Sequence, residues 1–285
     1  CFAARVRPRL SALRPLLTRE FEVGNEANTQ RFQKFTYDYA GRTTFSSYPG
    51  TSDALSTGTW SEYDALGRAT SVSQDSELGL LTTRTEYLAG NQTRVTNPRG
   101  QQTVSGFQVF DQPDYSKPVW IQHPEGANTD IALDVFGKPS SIRRRNADGS
   151  LAVTRSYVYD GYQQLCKTIE PETGATVMDY DGAGNLSWSA SGQSYASTSA
   201  CNTADVATSA KVGRSYDARN RLAALAFPDG VGNQSFVYTA DGLPAQVTTN
   251  NSNGGNAVIN AYTYNKRRLL VSESITQPGS SALGL

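Results

Sequence analysis

His123 is the only histidine among 285 residues, so any histidine-based acid–base chemistry or metal cluster must run through it. It stands in Ile121-Gln122-His123-Pro124-Glu125-Gly126, where Pro and Gly mark a turn, and the sequence predicts an exposed loop residue. Two carboxylate pairs lie two residues apart, Glu170/Glu172 and Asp179/Asp181. On a strand such a pair shares one face, the arrangement a glycosidase needs. Pro171 interrupts the first pair, and Asp181 is accounted for by a turn. Asn146-Ala147-Asp148-Gly149-Ser150 alternates side-chain oxygens before a Gly, as calcium loops do, but the remaining ligands and the distal Glu are missing. The same residues suit a hairpin turn between Ile142 and Leu151. Arg143-Arg144-Arg145 beside it reads as a solvated edge that discourages pairing. No Walker loop, dinucleotide glycine fingerprint or Cys-x-x-Cys occurs. The sequence therefore predicts no enzyme, with no catalytic, cofactor-binding or metal-binding residue.

The elements that would position these groups come from a repeat. Phe35-Thr36-Tyr37-Asp38-Tyr39-Ala40-Gly41-Arg42 returns every twenty to thirty residues. Clear copies are Tyr63-Asp64 with Gly67-Arg68, Tyr180-Asp181 with Gly184, and Tyr216-Asp217 with Asn220. Weaker ones are Tyr87-Leu88-Ala89-Gly90-Asn91, Phe110-Asp111, Asp134 with Gly137, Tyr159-Asp160, Tyr238 with Gly242, and Tyr264-Asn265. Pro113 after Asp111, and Gln163 where Gly is expected after Asp160, depart from the pattern. In the clear copies the aromatic residue ends a strand and Asp opens a type I turn, its carboxylate accepting backbone N–H bonds. Gly or Asn then takes the left-handed position before the returning strand. The unit is a β-hairpin.

The Tyr-Asp-x-x-Gly-Arg-Leu pattern resembles the YD repeat of bacterial Rhs proteins, insecticidal toxin-complex shells, wall-associated proteins and teneurins. The resemblance covers roughly residues 30–272. It implies an all-β fold in which tandem hairpins form one long curved sheet, part of a spiral β-shell. It also implies a structural scaffold, a segment of a large secreted or cell-surface bacterial polypeptide that encloses or presents a toxin or adhesive domain. The partners implied are the remainder of that polypeptide, its cargo or plug domains. The Pro- and Asp-rich core signature of Rhs proteins is not found, so the chain reads as part of a repeat region. Two other classes are a carbohydrate-binding adhesion module that stacks exposed rings on cell-surface glycans, and a hydrolase or autoprotease.

Composition fits this reading. Lys+Arg and Asp+Glu are 26 each, which argues for neither nucleic acid nor an anionic membrane as partner. No apolar run approaches the roughly twenty residues of a membrane span. Three divisions are expected: a basic, flexible lead over 1–20, a repeat array over 21–276, and a frayed tail over 277–285. Arg5, Arg7, Arg9, Arg14 and Arg19 mark the lead, which has no acidic residue before Glu20. Within the array, Ser191–Lys211 is rich in Ser, Ala and Thr and reads as an insertion: a surface loop, or a lid tied down by a Cys166–Cys201 disulfide that leaves Cys1 over. Asn250–Asn256 reads as a polar hairpin connection.

Overall fold

The hairpins follow from the turn chemistry. The computed structural model describes residues 16–21, 30–109, 113–252, 255–277 and 283–284. In its first complete turn Asp38 N–H donates to Arg42 O at 2.9 Å and Gly41 N–H donates to Asp38 O at 3.0 Å. Gly41 sits at φ 78°, in the left-handed region that Gly enters without steric penalty. The same pair of backbone bonds closes the turns that open at Asp64, Asp134, Asp160, Asp181, Asp217, Thr239 and Asn265.

The described residues are all-β, with tandem antiparallel hairpins and a single 3-10 turn at Thr208–Ala210. The first strands are β1 (Leu16–Phe21), β2 (Gln30–Tyr37), β3 (Thr43–Ser47), β4 (Gly58–Tyr63) and β5 (Ala69–Ser76). They continue as β6 (Gly79–Leu88), β7 (Gln92–Thr96), β8 (Gln102–Val109), β9 (Pro113–Gln122), β10 (Asn128–Leu133) and β11 (Pro139–Arg145). Next come β12 (Ala152–Tyr159), β13 (Leu165–Glu170), β14 (Gly174–Tyr180), β15 (Leu186–Gln193), β16 (Val212–Tyr216) and β17 (Leu222–Ala226). The last are β18 (Asn233–Tyr238), β19 (Pro244–Ser252), β20 (Gly255–Tyr264), β21 (Leu270–Thr276) and β22 (Leu283–Gly284). From β1 to β10 and again from β12 to β22, each strand pairs antiparallel with its sequence neighbour. Among the described residues no pairing joins the first strand of either run to its last, so each is an open meander.

A second device recurs. Tyr37 pairs with Thr43 while Thr36 pairs with Phe45, which leaves Thr44 as a bulge. The same shift follows Tyr63, Tyr159, Tyr180, Tyr216, Tyr238 and Tyr264. A bulge breaks the ladder locally and sharpens the twist of the bulged strand.

Chain contacts divide the protein into two units, Cys1–Ile131 with Arg144–Leu151, and Ala132–Arg143 with Ala152–Leu285. The sequence predicted one array over 21–276. Among the described residues buried apolar side chains are few. Phe32 and Phe45 are buried in the first unit; Val158, Cys166, Ala175, Val177, Ala190 and Val206 are buried in the second. Val177, Ala190 and Val206 cluster under Trp188, Tyr195 and Ala210. Val206 belongs to the connection between β15 and β16, so that connection supplies a covering layer over the sheet.

Several expected boundaries move. Residues 16–20, placed by the sequence in a flexible lead, belong to β1, whose six residues pair with Gln30–Phe35 of β2. Residues 1–15 lie outside the described residues. Within the expected tail, Leu283 and Gly284 pair with Ile275 and Ser274; 278–282 and 285 lie outside the description. The insertion starts at 194, because β15 runs through Gln193. The Asn250–Asn256 connection shrinks to 253–254, also outside the description, since Ser252 pairs with Gly255. Among the described residues no helix is long and apolar enough to cross a membrane.

Candidate functional site

The repeat residues assemble into a chain of nodes, each linking one hairpin to the next. The first layer is the turn. Asp38 Oδ1 accepts from the backbone N–H groups of Ala40 and Arg42, both at 2.9 Å. Asp64, Asp134, Asp160, Asp181 and Asp217 repeat both bonds, and Asn265 does the same with its amide oxygen. These carboxylates are spent on backbone donors. Asp217 is pushed down to about 2 by side-chain and backbone bonds from Arg221, and Asp181 is lowered by the bonds it accepts from Asn185.

The second layer is the basic residue after the left-handed position. Arg42, Arg68 and Arg221 each donate Nε to Oδ2 of their own turn Asp, at 2.6, 2.7 and 2.7 Å. Each guanidinium then lies over the tyrosine of the next hairpin: Arg42 over Tyr63 at 4.7 Å, Arg68 over Tyr87 at 3.8 Å, Arg221 over Tyr238 at 4.3 Å. Lys138 does the same over Tyr159 at 5.0 Å, and its ammonium donates to the carbonyl of Gln163. Asp fixes the cation, and the cation is aimed at the neighbour.

The third layer was not foreseen from the sequence. Seven tyrosine hydroxyls donate to a backbone carbonyl of the preceding hairpin: Tyr63 to Thr43, Tyr87 to Ala69, Tyr159 to Pro139, Tyr180 to Leu165, Tyr216 to Leu186, Tyr238 to Leu222 and Tyr264 to Pro244, at 2.8–3.2 Å. Six of those acceptors stand directly before a bulge residue, and Ser140 follows Pro139 in the equivalent place. There the broken ladder leaves a carbonyl for another donor. The tyrosine is thus the rung between repeats as well as the end of its own strand.

Some copies depart from their expected form. Gln163 takes the glycine position at φ 66°, and its N–H still closes the turn on Asp160 O at 3.0 Å. Tyr87 keeps its rung, but its turn differs. Leu88 offers no side-chain acceptor, and Gly90 and Asn91 both take positive φ, 75° and 54°. Thr239 uses its hydroxyl where Asp would stand, accepting from Leu243 N–H at 2.9 Å. The Phe110–Asp111 copy lies outside the described residues. The turn Asn97-Pro98-Arg99-Gly100 escaped the sequence reading because it follows no aromatic residue, while the turn expected at His123-Pro124-Glu125-Gly126 is present, His123 O accepting from Gly126 N–H at 3.0 Å.

The groups weighed for chemistry are held elsewhere. His123 is half-buried, where an exposed residue was expected; its Nε2 shares a 2.9 Å hydrogen bond with Thr129 Oγ1. The turn tucks its ring against β10. Glu170 and Glu172 both face Arg155, at 3.7 and 3.5 Å. Asp179 accepts from Tyr180 N–H and from Trp188 Nε1. Asp148 accepts from Ser150, and Asn146 from Leu151 N–H, so the oxygens of the Asn146–Ser150 stretch are engaged within its own turn, as the hairpin reading expected. Arg144 and Arg145 reach Glu125 and Asp130. Among the described residues no cluster of three or more His, Cys, Asp or Glu could hold a metal. Cys166 and Cys201 form a disulfide with Cα atoms 5.3 Å apart.

No family model matches this chain, and no curated protein matches it. Among solved structures it is similar to a Photorhabdus luminescens Tc holotoxin pore carrying a mutation in TccC3. The TM-score is 0.57 at 12% identity, over 92% of this chain and 14% of that one. At that identity the likeness is one of fold. A second structure, TcdB2-TccC3-Cdc42, superposes with a TM-score of 0.45 at 12% identity over 90% of this chain and 17% of that one, too loosely to weigh.

Proposed function

We propose that this chain is a non-enzymatic scaffold, a wall segment of the β-shell of a larger secreted or cell-surface polypeptide that encloses or presents a toxin or adhesive domain. The observation that carries this reading is the tyrosine ladder, in which the recurring residues of the repeat join each hairpin to the one before it. The fold likeness to a chain of the Tc holotoxin pore supports it. So do the turn tips of the second unit, where Val135 is 94% exposed, Tyr162 88% and Phe136 61%. Large apolar groups at consecutive tips suit packing against further chain. Electron cryomicroscopy of the intact polypeptide tests the proposal. The expected result is strands of this sequence in a wall around an enclosed volume; a free-standing module with water on both faces would reject it. A second reading, carbohydrate binding, draws on the exposed rings of Tyr39 and Tyr162. Retention on a glycan array would support that reading, and no retention with any sugar would remove it.

A further inference from the structure

Beneath the connection between β15 and β16 lies a lysine that the ladder does not use. Lys167 of β13 has no exposed surface, and its Nζ sits 2.5 Å from Asn202 Oδ1. An ordinary N–H···O bond spans about 2.7–3.2 Å. Cys166 is the bulge residue of its hairpin, so it and Lys167 both meet the same connection. The disulfide joins Cys166 to Cys201, and the lysine contact joins the next residue of each, 167 to 202.

Asn202 is fixed from other directions as well. Its φ of 61° holds it in the left-handed region, and Asp205 N–H closes a turn on its carbonyl at 3.1 Å. Its Nδ2 donates to Asp205 Oδ2 at 2.8 Å. Across the strands Lys167 pairs with Val177, which is wholly buried with Ala190 and Val206. Burial holds the lysine below its ordinary range, against the pull of the Asp205 carboxylate. That direction favours the neutral, nucleophilic amine.

We propose that Lys167 and Asn202 join autocatalytically in an intramolecular isopeptide bond, with Asp205 as the proton carrier. The Nζ lone pair attacks Asn202 Cγ and a C–N bond forms. Asp205 carboxylate takes one proton from Nζ and returns it to Nδ2; the Cγ–Nδ2 bond breaks and ammonia leaves. No oxidant, reductant or cofactor enters. The two reacting groups are already held together by the disulfide one residue away, which removes most of the orientational entropy of the step. The product is a neutral amide in place of a buried amine whose charged form burial disfavours.

The test is mass spectrometry of the purified polypeptide carrying this sequence, reduced and denatured. The expected mass is short by one ammonia. After digestion with trypsin and a glutamate-specific protease, 156–172 stays joined to 173–211. Lys167→Met restores the full mass and separates the two peptides. Asp205→Asn slows bond formation about 100-fold or more. A full mass with free peptides in the parent protein overturns the proposal. So does an ammonia deficit with separate peptides, the mark of a succinimide at Asn202. An unchanged rate in Asp205→Asn removes the role given to Asp205.

Discussion

Replacing Tyr180 with Phe removes one rung of the ladder and nothing else. The ring stays; the hydroxyl that donates to Leu165 O at 2.8 Å is lost. The carbonyl lies just before the Cys166 bulge, where the strand ladder is already broken. A net hydrogen bond of this kind contributes about 0.5–1.5 kcal/mol, and the half-buried position puts Tyr180 near the middle, about 1 kcal/mol. For a unit of this length that is about 2–4 °C in midpoint. Trp188 reports the loss directly, because it lies in the same hairpin and packs on the Val177 cluster. The assay is urea unfolding followed by its fluorescence. Tyr162→Phe is the control: the ring is 88% exposed, and removal of its hydroxyl is expected to stay within about 0.5 kcal/mol of zero. If the two variants unfold together with the parent, the hydroxyls do not couple the hairpins and the ladder is only a geometric coincidence.

Acid should loosen the turns. Asp217 has a folded value of about 2 against an ordinary 3.8, so its contribution is present above pH about 4 and is lost as pH falls toward 2. Asp217→Asn is expected to flatten part of that fall in unfolding midpoint; an identical pH profile would contradict it. Gly106 lies opposite Trp120, and a Cβ there would sit 2.2 Å from the indole Nε1. Gly106→Ala should therefore destabilise the first unit by about 1–3 kcal/mol in denaturant unfolding, and a neutral result would mean that the ring moves freely. The Cys166–Cys201 bond closes a separation of 35 residues, which in the chain-entropy account stabilises by about 4 kcal/mol. In a Lys167→Met background, reduction should lower stability by that order. In the parent the effect should be much smaller, because the isopeptide closes the same loop; equal losses in both backgrounds would contradict this.

The hairpins were legible because turn chemistry is local. Asp38 and Gly41 fall within four residues of each other, and their roles follow from type alone. The rungs were not, because the acceptor of Tyr63 is Thr43, twenty residues back, and its availability depends on a bulge that no residue type announces. Thr44, Ser187 and Val271 occupy equivalent bulges with nothing in common. The turn at Asn97 was not legible because the repeat puts an aromatic residue before its turns, whereas backbone geometry needs only a left-handed Gly after it. His123 was predicted exposed from its Pro and Gly neighbours, yet the turn folds its ring onto Thr129. Strand β1 was hidden because Leu16-Leu17-Thr18-Arg19-Glu20-Phe21 shows no apolar alternation and follows an arginine-rich stretch that reads as a flexible lead. Lys167 left one signal, its equal spacing beside Cys166 to Cys201 and Asn202, and residue type alone made it a surface lysine.

The central claim is that hairpins are coupled in series, each to its neighbours. Hydrogen exchange on Tyr216→Phe, which loses its bond to Leu186 O, measures this most directly. The account predicts that amide protection falls in the β14–β15 and β16–β17 hairpins while β20–β21 is unchanged. Uniform loss across the chain, or no loss on either side of the broken rung, would contradict it.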